Sequence, residues 1–156
     1  MRLTAYTDFS LRVLIRLALR PADLTTIAEI AALYEISEHH LTKVVHRLGV
    51  AGYVETVRGR GGGLRLAKPP AQIGVGDVVR RMEPDLRIVA CLRDAEVCRI
   101  EPACVLSTAL ERALAAFMAE LDRYTLADLV AKPRRLGRLL GVEPAEPLGR
   151  RDGAAG

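Results

Sequence analysis

The sequence predicts a mainly α chain with a small β-hairpin wing, that is, a winged helix-turn-helix followed by one long helix. Three observations carry the prediction. Two short amphipathic patterns, each opened by a capping residue, flank a three-residue turn at 34–36. Two short β-type runs flank the basic, glycine-rich stretch Arg58-Gly-Arg-Gly-Gly-Gly63. An apolar stripe at helical spacing (Leu106, Leu110, Ala113, Leu114, Phe117, Leu121) marks the long helix.

Taken in order, residues 7–20 place Phe9, Val13, Leu14, Leu17 and Ala18 on one helical face and Arg12, Arg16 and Arg20 on the other, and Pro21 stops the helix. Thr26 and Glu29 have the spacing of a capping box and open a short helix to about Leu33. Ser37 is expected to cap a third helix, with Leu41, Val44, Val45 and Leu48 inward and His39, His40, Thr42, Lys43 and His46 mostly outward. Strands at 53–57 and 64–67 enclose the wing tip, where glycines let the backbone approach a phosphate or enter a narrow groove. Nucleotide binding is a poor alternative for that stretch, because neither a P-loop lysine nor a helix follows the glycines. Residues 75–82 form a linking helix ended by Glu83-Pro84. Pro102 and Ala103 are expected to begin the long helix, reaching about Asp122, and Thr125 caps a last short one. A helix of that length exceeds what one small domain covers, so part of its stripe is expected to pack on a second copy as a dimerisation helix.

The expected organisation is a DNA-binding domain at 1–83 (wing about 53–67), a cysteine-bearing loop at 84–104, the dimerisation and closing helices at 103–131, and a mostly flexible tail at 132–156 with brief order near 136–140. The net charge of +4 is unevenly spread. Residues 39–68 hold six cations against the single acid Glu55, a local excess suited to double-stranded DNA. Ser37, His39, His40, Thr42 and Lys43 are the candidate contacts of the third helix, and Arg58 and Arg60 those of the wing, although exposed histidines also suit a merely solvated face. Apolar runs fall short of a membrane span, so the expected compartment is the cytoplasm. No nucleophile, base and orienting group stand together, which argues against an enzyme.

All three cysteines, Cys91, Cys98 and Cys104, fall within fourteen residues that also carry Arg93, Asp94, Glu96, Arg99 and Glu101. So polar a stretch is poor core material, and an odd cysteine count suits no closed disulfide framework. Three thiolates at C-x6-C-x5-C spacing can converge on a soft metal centre, either iron-sulfur, zinc or copper. A fourth ligand must then come from a distant carboxylate, another subunit or solvent, because the three histidines lie far upstream.

The opening MRLTAYTDFSLRVLIRLA, the wing RGRGGGLRLAKP, the linker IGVGDVVRRMEP, the cysteines ahead of a long helix and the closing YTLADLV together resemble the iron-sulfur winged-helix repressors, most nearly the nitric-oxide-sensing NsrR type. The likeness spans roughly residues 1–130. It implies a homodimeric repressor with a cluster on Cys91, Cys98 and Cys104, which releases DNA when the cluster reacts with nitric oxide. In relatives with a two-iron (2Fe-2S) cluster a histidine three residues after the last cysteine completes the set, and here that position is Ser107. For the NsrR type the resemblance implies that Asp8 of the partner subunit ligates a four-iron (4Fe-4S) cluster. Read by itself, Asp8 is an acid in the first turn of a helix, favoured there by the dipole. The chain departs from the family in a Cys91–Cys98 spacing one residue longer and in Glu35, which stands where relatives tend to have glycine. A positive φ at Glu35 would cost on the order of 1 kcal/mol. Other readings are a sensor of iron, oxygen or redox state on the same fold, a zinc-stabilised winged helix, and a thiol or iron-sulfur redox protein. The last would have no use for the wing, and no C-x-x-C motif supports it.

Overall fold

The structure, a computed structural model, describes residues 2–87, 89, 100 and 103–143. In chain order the elements are α1 (Ala5–Leu19), α2 (Ile27–Tyr34), α3 (Glu38–Val50), β1 (Val54–Val57), β2 (Gly63–Leu66), α4 (Val75–Met82), α5 (Val105–Leu121), α6 (Leu126–Leu129) and α7 (Pro133–Leu140). The mainly helical winged fold is present as expected.

Each helix of the winged unit buries its apolar face on one core: Val13, Leu14 and Leu17 from α1, Ile30 from α2, Leu41, Val44 and Leu48 from α3, and Val78 and Met82 from α4. Leu126 of α6 closes the same core. β1 and β2 pair antiparallel in the register Val54↔Leu66 and Thr56↔Leu64, and Thr25 adds an isolated bridge to Leu64. Alternation turns Val54 and Leu64 inward, while Glu55 and Arg65 face solvent as a cross-strand ion pair of 2.9 Å.

The turn between α2 and α3 is set by Glu35, which caps α2 in the left-handed region at φ 53°, ψ 42°. Its N–H and that of Ile36 both return to the Ala31 carbonyl, which closes the end of α2 at the cost of strain at a residue with a Cβ. Glu35→Gly is therefore expected to leave stability unchanged or raise it by up to about 1 kcal/mol, relief of strain being partly offset by the freer unfolded chain. Urea unfolding checks this, and a clear loss would mean that the Glu35 side chain itself supports the turn.

Three expectations are corrected. α1 starts at Ala5, two residues early, because Thr4 is its cap and accepts from the Thr7 N–H. Ser37 occupies the cap position of α3 but makes no side-chain capping bond; its carbonyl accepts from Leu41 and its hydroxyl is left exposed. The long helix begins at Val105 rather than at Pro102–Ala103, since Cys104 adopts an extended conformation (φ −83°, ψ 103°) as its N-cap. The brief order expected near 136–140 is a helix of eight residues: Pro133 stands at its start, and Gly141 ends it in the left-handed region, with the Val142 N–H returning to Gly137 at 2.8 Å.

At 17 residues α5 spans roughly 26 Å, and among its residues only Met118 is buried. Its C-terminal end is fastened to α4: Arg80 makes a two-pronged ion pair with Asp122, which pulls the carboxyl below its ordinary range through those hydrogen bonds. Gly76 leaves room for that carboxylate, where a Cβ would collide with it. The N-terminal end is uncovered, with Val105 82% and Leu106 65% exposed.

Candidate nucleic-acid interface and cysteine loop

On α3 the side chains of His39, His40, Thr42, Lys43 and His46 are all exposed, as is Ser37 just before it. Residues 39, 42, 43 and 46 share one face at i, i+3, i+4 and i+7, the face opposite buried Leu41, Val44, Val45 and Leu48. Of the expected contacts, His39, Thr42 and Lys43 thus lie on one face. His46 extends the same row and was not among them, although its spacing from His39 and Lys43 signals it. His40 lies toward α1, sharing a shallow cleft with Tyr6, Phe9 and Lys43. The Thr42 hydroxyl donates to the Glu38 carbonyl at 2.8 Å, which orients it along the helix.

Of the six cations at 39–68, the fold occupies three. Arg47 donates to the Arg81 carbonyl at 2.8 Å and lies over the Tyr6 ring, Lys68 lies over the Tyr53 ring, and Arg65 is paired with Glu55. Lys43, Arg58 and Arg60 are exposed, without an ion-pair partner among the described residues. These are the cations left for an external polyanion. The wing tip is tight: Gly59 and Gly61 have φ 102° and 75°, and a Cβ at Gly62 would run into the Val57 carbonyl. Only glycine holds Arg58 and Arg60 at so compact a turn.

Tyr6 joins α1 to this helix, its hydroxyl donating to the Lys43 carbonyl at 2.6 Å. Burial raises its phenol pKa, and the Arg47 guanidinium partly opposes that. Tyr6 thus ties α1 to the middle of α3 through the Lys43 carbonyl and the Arg47 guanidinium.

Cys91 and Cys98 lie outside the described residues. Cys104 is a free, half-buried thiol at the start of α5. Ser107, at the position of the histidine in two-iron relatives, donates to the Cys104 carbonyl at 3.0 Å. Asp8 sits in the first turn of α1 with its carboxylate 2.9 Å from Arg12 Nε, both side chains about half exposed. Arg12 in turn lies over the Tyr34 ring of α2, 5.7 Å from its centroid. Among the described residues no group of three or more potential metal-binding side chains gathers.

A buried carboxylate ties the entry of the cysteine-bearing segment to α1. Glu83, directly after α4, accepts from the Thr4 N–H at 2.7 Å and the Thr4 hydroxyl at 3.1 Å. It thereby caps α1 from 79 residues away, one turn before Asp8. Sequence spacing held no signal for this contact, which only the packed fold creates.

Comparison with known proteins agrees with this geometry. Residues 3–132 match the model of the Rrf2 family, described as iron-dependent transcriptional regulators. The HTH-type transcriptional regulator NsrR of Bacillus subtilis (strain 168) is 52% identical over 145 residues, covering 92% of this chain and 99% of that protein. The protein of the same description from Shouchella clausii (strain KSM-K16) is 46% identical over 148 residues, covering 94% and 99%. Among solved structures, CymR (YrzC), the global cysteine regulator of B. subtilis, superimposes with a TM-score of 0.68 at 29% identity, over 84% of this chain and 97% of that one. T. potens IscR, at 24% identity, shares the fold with a TM-score of 0.70 over 94% of each chain. The exposed basic face of α3, the glycine wing and these likenesses converge: the chain belongs to the Rrf2 family of helix-turn-helix transcriptional regulators, which are not enzymes.

Proposed function

We infer that the chain is a homodimeric repressor that binds operator DNA while it carries an iron-sulfur cluster and releases DNA when the cluster reacts with nitric oxide. It works in the cytoplasm. The observation that carries the reading is the sequence likeness to NsrR regulators over more than nine-tenths of the chain, together with a free Cys104 ahead of α5.

The donor chemistry fits an iron-sulfur group. Cys91, Cys98 and Cys104 would supply soft thiolates, and Asp8 of the partner a carboxylate oxygen. Cys104 is bound in no disulfide, and Asp8 is half exposed on the surface of α1, open to a second copy. Ser107 is engaged with its own helix, which favours a 4Fe-4S cluster with Asp8 over the 2Fe-2S alternative. When bound, such a cluster supplies an iron that small molecules can attack, because carboxylate oxygen holds it less firmly than sulfur does.

The protein's part is to convert that ligation into DNA affinity. Asp8 has two possible partners, the cluster and Arg12, and Arg12 stacks on Tyr34 at the end of α2. α1 also grips α3 through Tyr6. A change in what holds Asp8 therefore reaches both helices of the DNA-binding motif. In a dimer joined through the uncovered end of α5, the two α3 helices must match half-sites about 34 Å or a multiple apart. Repression responds to the signal only if the two states differ in DNA affinity.

The test is an anaerobic nitric oxide titration of reconstituted wild type and Asp8→Ala, following visible absorbance, iron and sulfide content, and DNA binding. Four irons per protomer, DNA release on nitrosylation, and altered cluster stability in Asp8→Ala are expected. Two irons, or indifference to nitric oxide and to Asp8, would replace this reading with a sensor of iron, oxygen or redox state.

A further inference from the structure

Helix α7 lies past the stretch matched by the family model, which ends at residue 132. It is a built element, with proline in its first turn and a left-handed glycine stop. Its two sides differ sharply. Gly137 is buried and Leu136 and Leu140 are half-buried, whereas Arg134, Arg135 and Arg138 are exposed, Arg138 lying one turn on from both Arg134 (i+4) and Arg135 (i+3). None of the three has an ion-pair partner among the described residues. Only Arg138, in the last turn, is favoured by the helix dipole, and three like charges so close together repel one another unless an anion faces them.

The position of the helix suggests that anion. Just beyond α7 the Glu143 carbonyl accepts from Arg20 Nη1 at the C-terminal end of α1, at 3.4 Å. The next residue, Pro21, lines one cleft with Leu66, Ala67, Lys68, Pro69 and Pro70 at the foot of the wing. Thr25, on the same connection, bridges to Leu64 of β2. The end of α7 thus lies against the end of α1, next to the foot of the wing.

We propose that Arg134, Arg135 and Arg138 form a second DNA-contacting surface, which binds the phosphate backbone outside the bases met by α3. The proposal rests on the DNA-binding reading above. Phosphate contact adds affinity without sequence information, so it lengthens the footprint while leaving the recognised bases the same.

The experiment uses the full cluster-bearing protein and an operator selected by that protein from a random duplex library, synthesised without flanks and with ten base pairs added at each end. Binding is measured by fluorescence anisotropy across a salt series for wild type, Arg134→Gln/Arg135→Gln/Arg138→Gln, and the charge-conserving triple lysine variant. Wild type should bind the long duplex at least about tenfold more tightly than the short one, with a salt slope steeper by about 2 to 3 for each protomer engaged. The glutamine variant should lose that increment and keep wild-type affinity for the short duplex, and the lysine variant should retain most of it. Equal flank dependence in wild type and the glutamine variant would overturn the proposal. So would an unchanged DNA profile with loss of binding to phosphatidylglycerol vesicles, which would assign the face to an anionic membrane surface. Weak binding of wild type to the short duplex would instead count against the regulator reading itself.

Discussion

Replacing Lys43, Arg58 and Arg60 together by glutamine is expected to abolish operator binding at physiological salt while leaving the fold intact. The three are the exposed cations of the basic segment that the fold leaves unused, the others being held by Tyr6, Tyr53 and Glu55. If each meets one phosphate, the slope of log affinity against log salt falls by about 0.9 per residue, or roughly 3 per protomer. Neutralising Arg65 offers the contrast. Its charge is already balanced by Glu55 across the hairpin, so its loss should change the slope by much less. Anisotropy titrations at four salt concentrations would measure both. A triple variant with the wild-type slope would show that the protein meets DNA by another face. Thermal unfolding of the same variant should match wild type, since exposed, unpaired side chains contribute little to stability.

Leu48→Ala should produce the largest loss of stability, about 2–5 kcal/mol. Leu48 is fully buried on α3, and its carbonyl accepts from the Tyr53 N–H at 3.0 Å, where the helix hands over to the wing. Removing its side chain leaves a cavity between α3 and the rest of the core that neighbouring residues fill only in part. A domain with a total stability of about 5–15 kcal/mol would then be near unfolding at growth temperature. Urea denaturation at fixed protein concentration measures the change, concentration being held because association adds to apparent stability. A loss below about 1 kcal/mol would mean that the recognition helix is anchored elsewhere.

Several features were legible without the fold. Thr26–Glu29 and Thr125–Asp128 are both full capping boxes in the structure, and in each the threonine amide and hydroxyl hold the carboxyl below its ordinary range. The α4 limits, the hairpin and the inward face of α3 also follow from local spacing. The start of α5 is not legible, because Ala103 and Cys104 carry no local signal against helix, and the extended Cys104 delays the first turn to Val105. Asp8 had no local mark of a ligand, and only the family resemblance drew attention to it.

What the sequence determined by itself is whatever residues within about four positions of each other decide: helix faces, caps, the glycine turn of the wing and the clustering of charge and cysteine. The tertiary structure alone decided which of those charges remain available. It placed Tyr6 under Arg47, Glu55 against Arg65, Glu83 on the cap of α1 and Asp122 in the space left by Gly76. It also left the first turn of α5 bare and docked the end of α7 beside Arg20. The physical reason is the range of the forces involved. A capping bond closes within one turn of chain, whereas a contact between residues 4 and 83 forms only after the hydrophobic core has offset the entropy of closing the loop between them.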